Sequence, residues 1–175
     1  LINYFGEKAE KYFEIEAKDI SAKMLESTEG RTLKIEGDEK KLFKDLLKGL
    51  NFEDYFTQKE NTIYYISDKI RNKVVFDKGD ITLDAQKAFK EPVILFFRNA
   101  WVDLKTSDNT RELAFNLYKN LQPGSIIVIG ELEYNNNVNG SLHILDSLAD
   151  AGFRKVCNSK SKPVRYLFEK PSIKE

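Results

Sequence analysis

The sequence predicts an α/β protein built on a mostly parallel sheet. Three observations carry this. Two continuous apolar runs, Val93–Phe97 and Ile126–Ile129, each read as a strand inside a sheet. Amphipathic helical segments alternate with the strands, which is the pattern of a parallel sheet covered on both faces. Two further strand-like runs near the C-terminus, Phe153–Cys157 and Arg165–Phe168, flank the short basic turn Asn158–Pro163 and suit an antiparallel hairpin.

In chain order, Leu1, Ile2, Phe5 and Ala9 have near-helical spacing, so residues 1–10 read as the end of a helix. Phe13, Ile15 and Ala17 alternate with polar residues, giving a strand that ends at Asp19. Ser21 suits the cap of a short helix carrying Met24 and Leu25, with Gly30 as its stop. A small strand is expected over Thr32–Glu36. Asp38 then caps a helix whose apolar face is Leu42, Phe43, Leu46, Leu47 and Leu50. Phe52, Tyr55 and Phe56 continue in a looser arrangement. Thr62–Ile66 and Val74–Phe76 are β-branched and aromatic, hence strands.

Gly79-Asp80 reads as a turn, and Asp84 as the cap of a short helix reaching Ala88. The run Val93–Phe97 follows Pro92 and is expected to be buried on both faces. A helix starting at Asp108 or Thr110 presents Leu113, Leu117 and Leu121, and Pro123-Gly124 ends it. Leu142, Leu145, Leu148 and Ala149 line a last helix stopped by Gly152.

Composition narrows the function. A length of 175 residues favours one domain, and 41% hydrophobic with 32% charged residues is the balance of a globular protein. Lys plus Arg equals Asp plus Glu, 28 each, which argues against nonspecific nucleic-acid binding, since neutralising phosphates needs a basic excess. No apolar run approaches a membrane span, and no secretory leader pattern is present, so no membrane insertion is expected. A single cysteine, Cys157, allows no intrachain disulfide, fits a reducing cytoplasm and reads as a buried structural thiol. A single histidine, His143, in a helix-like segment, leaves no His/Cys metal cluster and no nucleophile elbow for a triad. No glycine-rich phosphate loop follows a strand, which argues against a nucleotide-dependent oxidoreductase.

Ligands of open α/β sheets sit outside the carboxyl ends of the strands. Three polar groups stand at such ends. Asp19 can accept hydrogen bonds from two ribose hydroxyls, or it can cap the helix at Ser21; its position fits both. Asp80 can meet an adenine amino group with Ile81 against the ring, or it belongs to an ordinary Gly-Asp turn. Arg98 and Asn99 end the buried strand, where an Arg needs either a ligand or a neighbouring acid.

The order of these features resembles the C-terminal catalytic part of the chemotaxis receptor (CheR-type) methyltransferases. These are S-adenosylmethionine-dependent enzymes that esterify glutamates of bacterial chemoreceptors. The stretch from Ile15 through Asp19-Ile20-Ser21 to Met24-Leu25 and Gly30 is similar to the family's second-strand motif. Asp54-Tyr55-Phe56, Ile63–Ile66, Ile70-Arg71 and Val74–Phe76 resemble its insert and third strand. Val93 to Asn99 resembles its fourth strand, ending in Arg-Asn. Leu121 to Ile126 resembles the Pro-Gly turn before its fifth. The likeness spans most of residues 13–133.

The resemblance implies a Rossmann-like methyltransferase sheet with S-adenosylmethionine as cofactor. It implies that Asp19 holds the ribose, that Asp80 and Ile81 lie near adenine, and that Arg98 and Asn99 line the methionine side. It makes the chemoreceptor's cytoplasmic region, or another protein, the partner, with the insert at about residues 31–66 able to dock a receptor tail. It also implies a first strand, with its Gly-containing loop, and an N-terminal helical domain, both upstream of Leu1. Residues 1–175 are then expected to be a partial catalytic domain of a longer chain. Two departures stand out. Asp80 occupies a position where the family usually has Asn, and Asp103 one where it usually has Tyr. An acid beside a glutamate acceptor repels it. This raises an alternative, a methyltransferase-like domain that has lost catalysis and serves as a binding or scaffolding module. The sequence singles out no proton-transfer residue, because positioning of donor and acceptor is the main demand of methyl transfer.

Overall fold

A computed structural model describes residues 14–23, 25, 32–34, 38–46, 51–60, 63–68, 72–97, 104, 107–130, 144–157 and 163–172. The chain divides into two compact units, Leu1–Asp80 and Ile81–Glu175.

In the first unit, β1 (Ile15–Asp19) runs parallel to β5 (Val74–Lys78), in register from Ile15↔Val74 to Asp19↔Lys78. Phe13, at the start of the expected strand, lies outside the described residues. Strand β5 extends past the expected Phe76 through Asp77 and Lys78. Backbone pairing with Lys18 and Asp19 holds these two polar residues in the ladder although no apolar pattern marks them. Beyond β1, the Leu25 N–H donates to the Ser21 carbonyl at 3.2 Å. That is the first bond of a helical turn, and it puts Ser21 at the capping position, as the sequence predicts.

Between these strands in sequence, the chain forms a three-stranded antiparallel sheet of β2 (Thr32–Lys34), β3 (Phe56–Glu60) and β4 (Ile63–Ile66), in the order β2-β4-β3. The sequence pattern predicts β2 and β4 but not β3. Thr57-Gln58-Lys59-Glu60 carries no apolar alternation because β3 is an edge strand, and its pairing with β4 decides its conformation. Helix α1 (Asp38–Leu46) and a 3-10 turn at Phe52–Asp54 complete this part. Phe52, Tyr55 and Tyr64 are buried. Phe52 stacks on Phe56 at 4.8 Å between ring centroids and meets Tyr64 edge-on at 5.5 Å. Lys40 Nζ donates to Tyr64 Oη at 2.6 Å, and Lys44 Nζ lies 5.8 Å from the Phe52 ring centroid. The helix thus uses the stems and heads of its lysines to cover the aromatic cluster.

The second unit holds the larger sheet, in the order β6-β7-β9-β8. Strand β6 (Ile94–Phe97) is parallel to β7 (Ile126–Ile129), pairing Ile94↔Ile126 through Phe97↔Ile129. The hairpin of β8 (Arg154–Cys157) and β9 (Pro163–Glu169) joins antiparallel through β9, so β8 forms the edge. Helix α3 (Ser107–Asn120) places Leu113 and Leu117 in the core, and Leu121 just beyond it joins them. Helix α4 (Ile144–Ala151) adds Ile144, Leu148 and Ala151. These meet Phe97, Ile127, Ile129, Phe153 and Phe168 in one cluster.

Polar braces close the turn between α3 and β7. The Val93 N–H donates to the buried Ser125 Oγ at 3.1 Å, Asn120 Nδ2 to the Ala85 carbonyl at 2.8 Å, and Gln122 Nε2 to the Phe89 carbonyl at 2.7 Å. Gly124 adopts φ +84°, which accounts for glycine after Pro123. Gly152 ends α4 at φ +109°, and a Cβ there would lie 2.8 Å from Tyr118 Cζ.

Three expectations are corrected here. Val93–Phe97 is not buried on both faces. Leu95 and Phe97 face the helices, whereas Ile94 and Phe96 point away, with Phe96 69% exposed. Among the described residues the helices cover one face of this sheet, and a continuous apolar run does not distinguish one covered face from two. The short helix α2 spans Ile81–Asp84, so Asp84 closes it rather than opening it. Its apolar anchor is Ile81, which packs against the core, while Asp84 Oδ1 accepts from Lys87 Nζ at 2.8 Å in the turn that follows. Cys157 lies on a strand, as expected, but is exposed. It occupies the end of the edge strand, where nothing described covers it. His143 falls outside the described residues.

Candidate functional site

The carboxyl end of the β1–β5 pair is built from Asp19, Gly79 and Asp80. Asp19 is the last residue of β1 and is half-buried. Its Oδ1 accepts the Ser21 N–H at 2.8 Å. This bond turns the chain from strand into helix and fixes the side-chain rotamer. The local structural role is therefore observed, as an Asx turn onto the N–H of Ser21, the residue at the capping position. It leaves the carboxylate with further acceptor capacity, since each oxygen carries two lone pairs. The Gly79 N–H donates to the Asp19 carbonyl at 3.1 Å, continuing the parallel ladder one residue past β5. Asp80 follows directly, half-buried, so both carboxylates stand at the ends of adjacent strands within one unit. Ile81, the next residue, opens α2 in the second unit.

Ile20 is a feature that sequence reasoning did not single out. It is 65% exposed directly after Asp19. The available signal was its position beside the strand-end acid. In the second unit the corresponding end lies at Phe97 and Ile129, both buried and paired. Arg98, Asn99, Trp101 and Asp103 lie outside the described residues. The structure thus brings Asp19 and Asp80 together and sets Ile81 next in the chain.

The arrangement suits a ligand rich in hydrogen-bond donors. Carboxylates accept only, so a vicinal diol or an amine satisfies them, whereas a phosphate is repelled. The donor set fits the adenosyl part of S-adenosylmethionine, which carries a ribose diol and an amino group. Among the described residues, no group of three or more His, Cys, Asp or Glu is placed to hold a metal ion. No described helix is long and apolar enough to cross a membrane.

The described residues form an α/β fold with parallel strand pairs, helices packed on the larger sheet and an antiparallel C-terminal hairpin, and the sequence carries an S-adenosylmethionine-binding methyltransferase domain. The profile described as CheR methyltransferase, SAM binding domain, matches residues 1–148, and the chain belongs to that family. No curated protein matches the sequence.

Solved structures similar to it include the N-methyltransferase NodS from Bradyrhizobium japonicum WM9. That match has 12% identity and a TM-score of 0.46, covering 95% of this chain and 81% of that one. Human N-acetylserotonin methyltransferase in complex with SAM is 16% identical with a TM-score of 0.38, over 58% of this chain and 35% of that one. A possible exported protein from Bordetella parapertussis is 11% identical with a TM-score of 0.46, over 91% of this chain and 54% of that one. The chain therefore spans well under two thirds of the human and Bordetella structures.

Proposed function

We propose that the protein transfers a methyl group from S-adenosylmethionine to glutamate side chains of a bacterial chemoreceptor, in the cytoplasm. The observation that carries the reading is the family match over residues 1–148, together with a rotamer-fixed Asp19 at a strand end. The bound cofactor supplies an electrophilic methyl group. The chain's own residues bind and orient. Asp19 accepts from the ribose hydroxyls with the capacity that the Ser21 N–H leaves, and Ile20 offers apolar surface beside it. Asp80 and Ile81 are assigned to the adenine, and Arg98 and Asn99 to the methionine side, in line with the family's Arg-Asn strand end.

The three-stranded insert is assigned to docking a receptor tail. We also propose that residues 1–175 are part of a longer catalytic domain, with the insert at about residues 31–66. Strand β6 has a described partner on one edge only, which suits one further strand.

Incubation of the protein with chemoreceptor-containing membranes and tritiated S-adenosylmethionine tests the acceptor. Base-labile label on the receptor is expected. Binding of S-adenosylhomocysteine without any transfer favours the second reading, a domain that keeps the cofactor site but serves as a scaffold. Asp103, an acid where the family usually has Tyr, is the observation behind that reading.

A further inference from the structure

We draw no further inference here: the strongest candidate, the apolar outer face of the four-stranded sheet around Ile94 and Phe96, is exposed among the described residues, and nothing in the structure shows what covers it.

Discussion

The two parallel strand pairs among the described residues do different work. In β6–β7, alternate residues enter a closed core. Phe97, Ile127 and Ile129 are buried against α3 and α4, and the turn feeding β7 is locked by side-chain hydrogen bonds. In β1–β5, Ile15 is exposed and Val75 is 52% exposed, and the ladder ends in charged residues. Packing therefore explains the second pair. What distinguishes the first is the polar group at its end, Asp19, held by the Ser21 amide. Substitutions in the two pairs should therefore differ: core changes in β6–β7 are expected to act on stability, and a change of Asp19 on cofactor binding.

The largest expected effect on stability is in the second pair's core. Leu117→Ala removes a side chain that is 0% exposed and should cost about 2–5 kcal/mol in urea unfolding. A cost below about 1 kcal/mol would mean that α3 is not the keystone of the sheet. Next is Gly152→Ala. It forces an L side chain into φ +109° and sets its Cβ against the Tyr118 ring, for an expected loss of about 1–3 kcal/mol. The same variant in a Tyr118→Ala background should recover the steric part and retain the backbone part. Ser125→Ala leaves the Val93 N–H without its acceptor, also for about 1–3 kcal/mol. Ser125→Thr keeps the hydroxyl but adds a methyl at this fully buried position, so comparing the two variants separates lost bonding from altered packing.

The smallest effect belongs to the first pair. Val75→Thr is expected to stay within about 0.5 kcal/mol of the parent, as for other exposed positions. A melting-temperature drop as large as that of Ser125→Ala would show that this face is covered in solution, and would break the comparison.

Much of the fold was legible because its determinants are local. Periodicity marks α3 and β1, and a continuous apolar run marks β7; α4 forms as expected, but its buried face is Ile144, Ser147, Leu148 and Ala151, with Ala149 exposed. The Pro123-Gly124 and Gly152 stops mark the ends of α3 and α4, where the backbone takes positive φ at glycine. What escaped depends on pairing and on coverage. Strand β3 is polar, and only β4 beside it makes it a strand. The run Val93–Phe97 is apolar at every position, so its sequence does not reveal that Phe96 points away from the helices. The helix at Ile81–Asp84 was misplaced because Asp84 looks like a cap, whereas the packing of Ile81 sets where the helix begins.

At the site, the sequence offered two readings of Asp19, cap or ribose acceptor. The structure shows a local turn onto the Ser21 N–H, and that bond is compatible with the second. Arg98 and Asn99 are candidates only by their position after an apolar strand, and they lie outside the described residues.

The most direct test is calorimetric titration of the protein with S-adenosylhomocysteine, comparing the parent with Asp19→Ala and Asp19→Ser. Serine keeps a turn-forming oxygen but not the charge, so it separates the two roles of Asp19. The account predicts binding to the parent and a loss of about 10- to 150-fold in both variants, the value of a charge-assisted hydrogen bond. Unchanged affinity in Asp19→Ser would reduce Asp19 to its turn-forming role, and no binding to the parent would contradict the cofactor site itself.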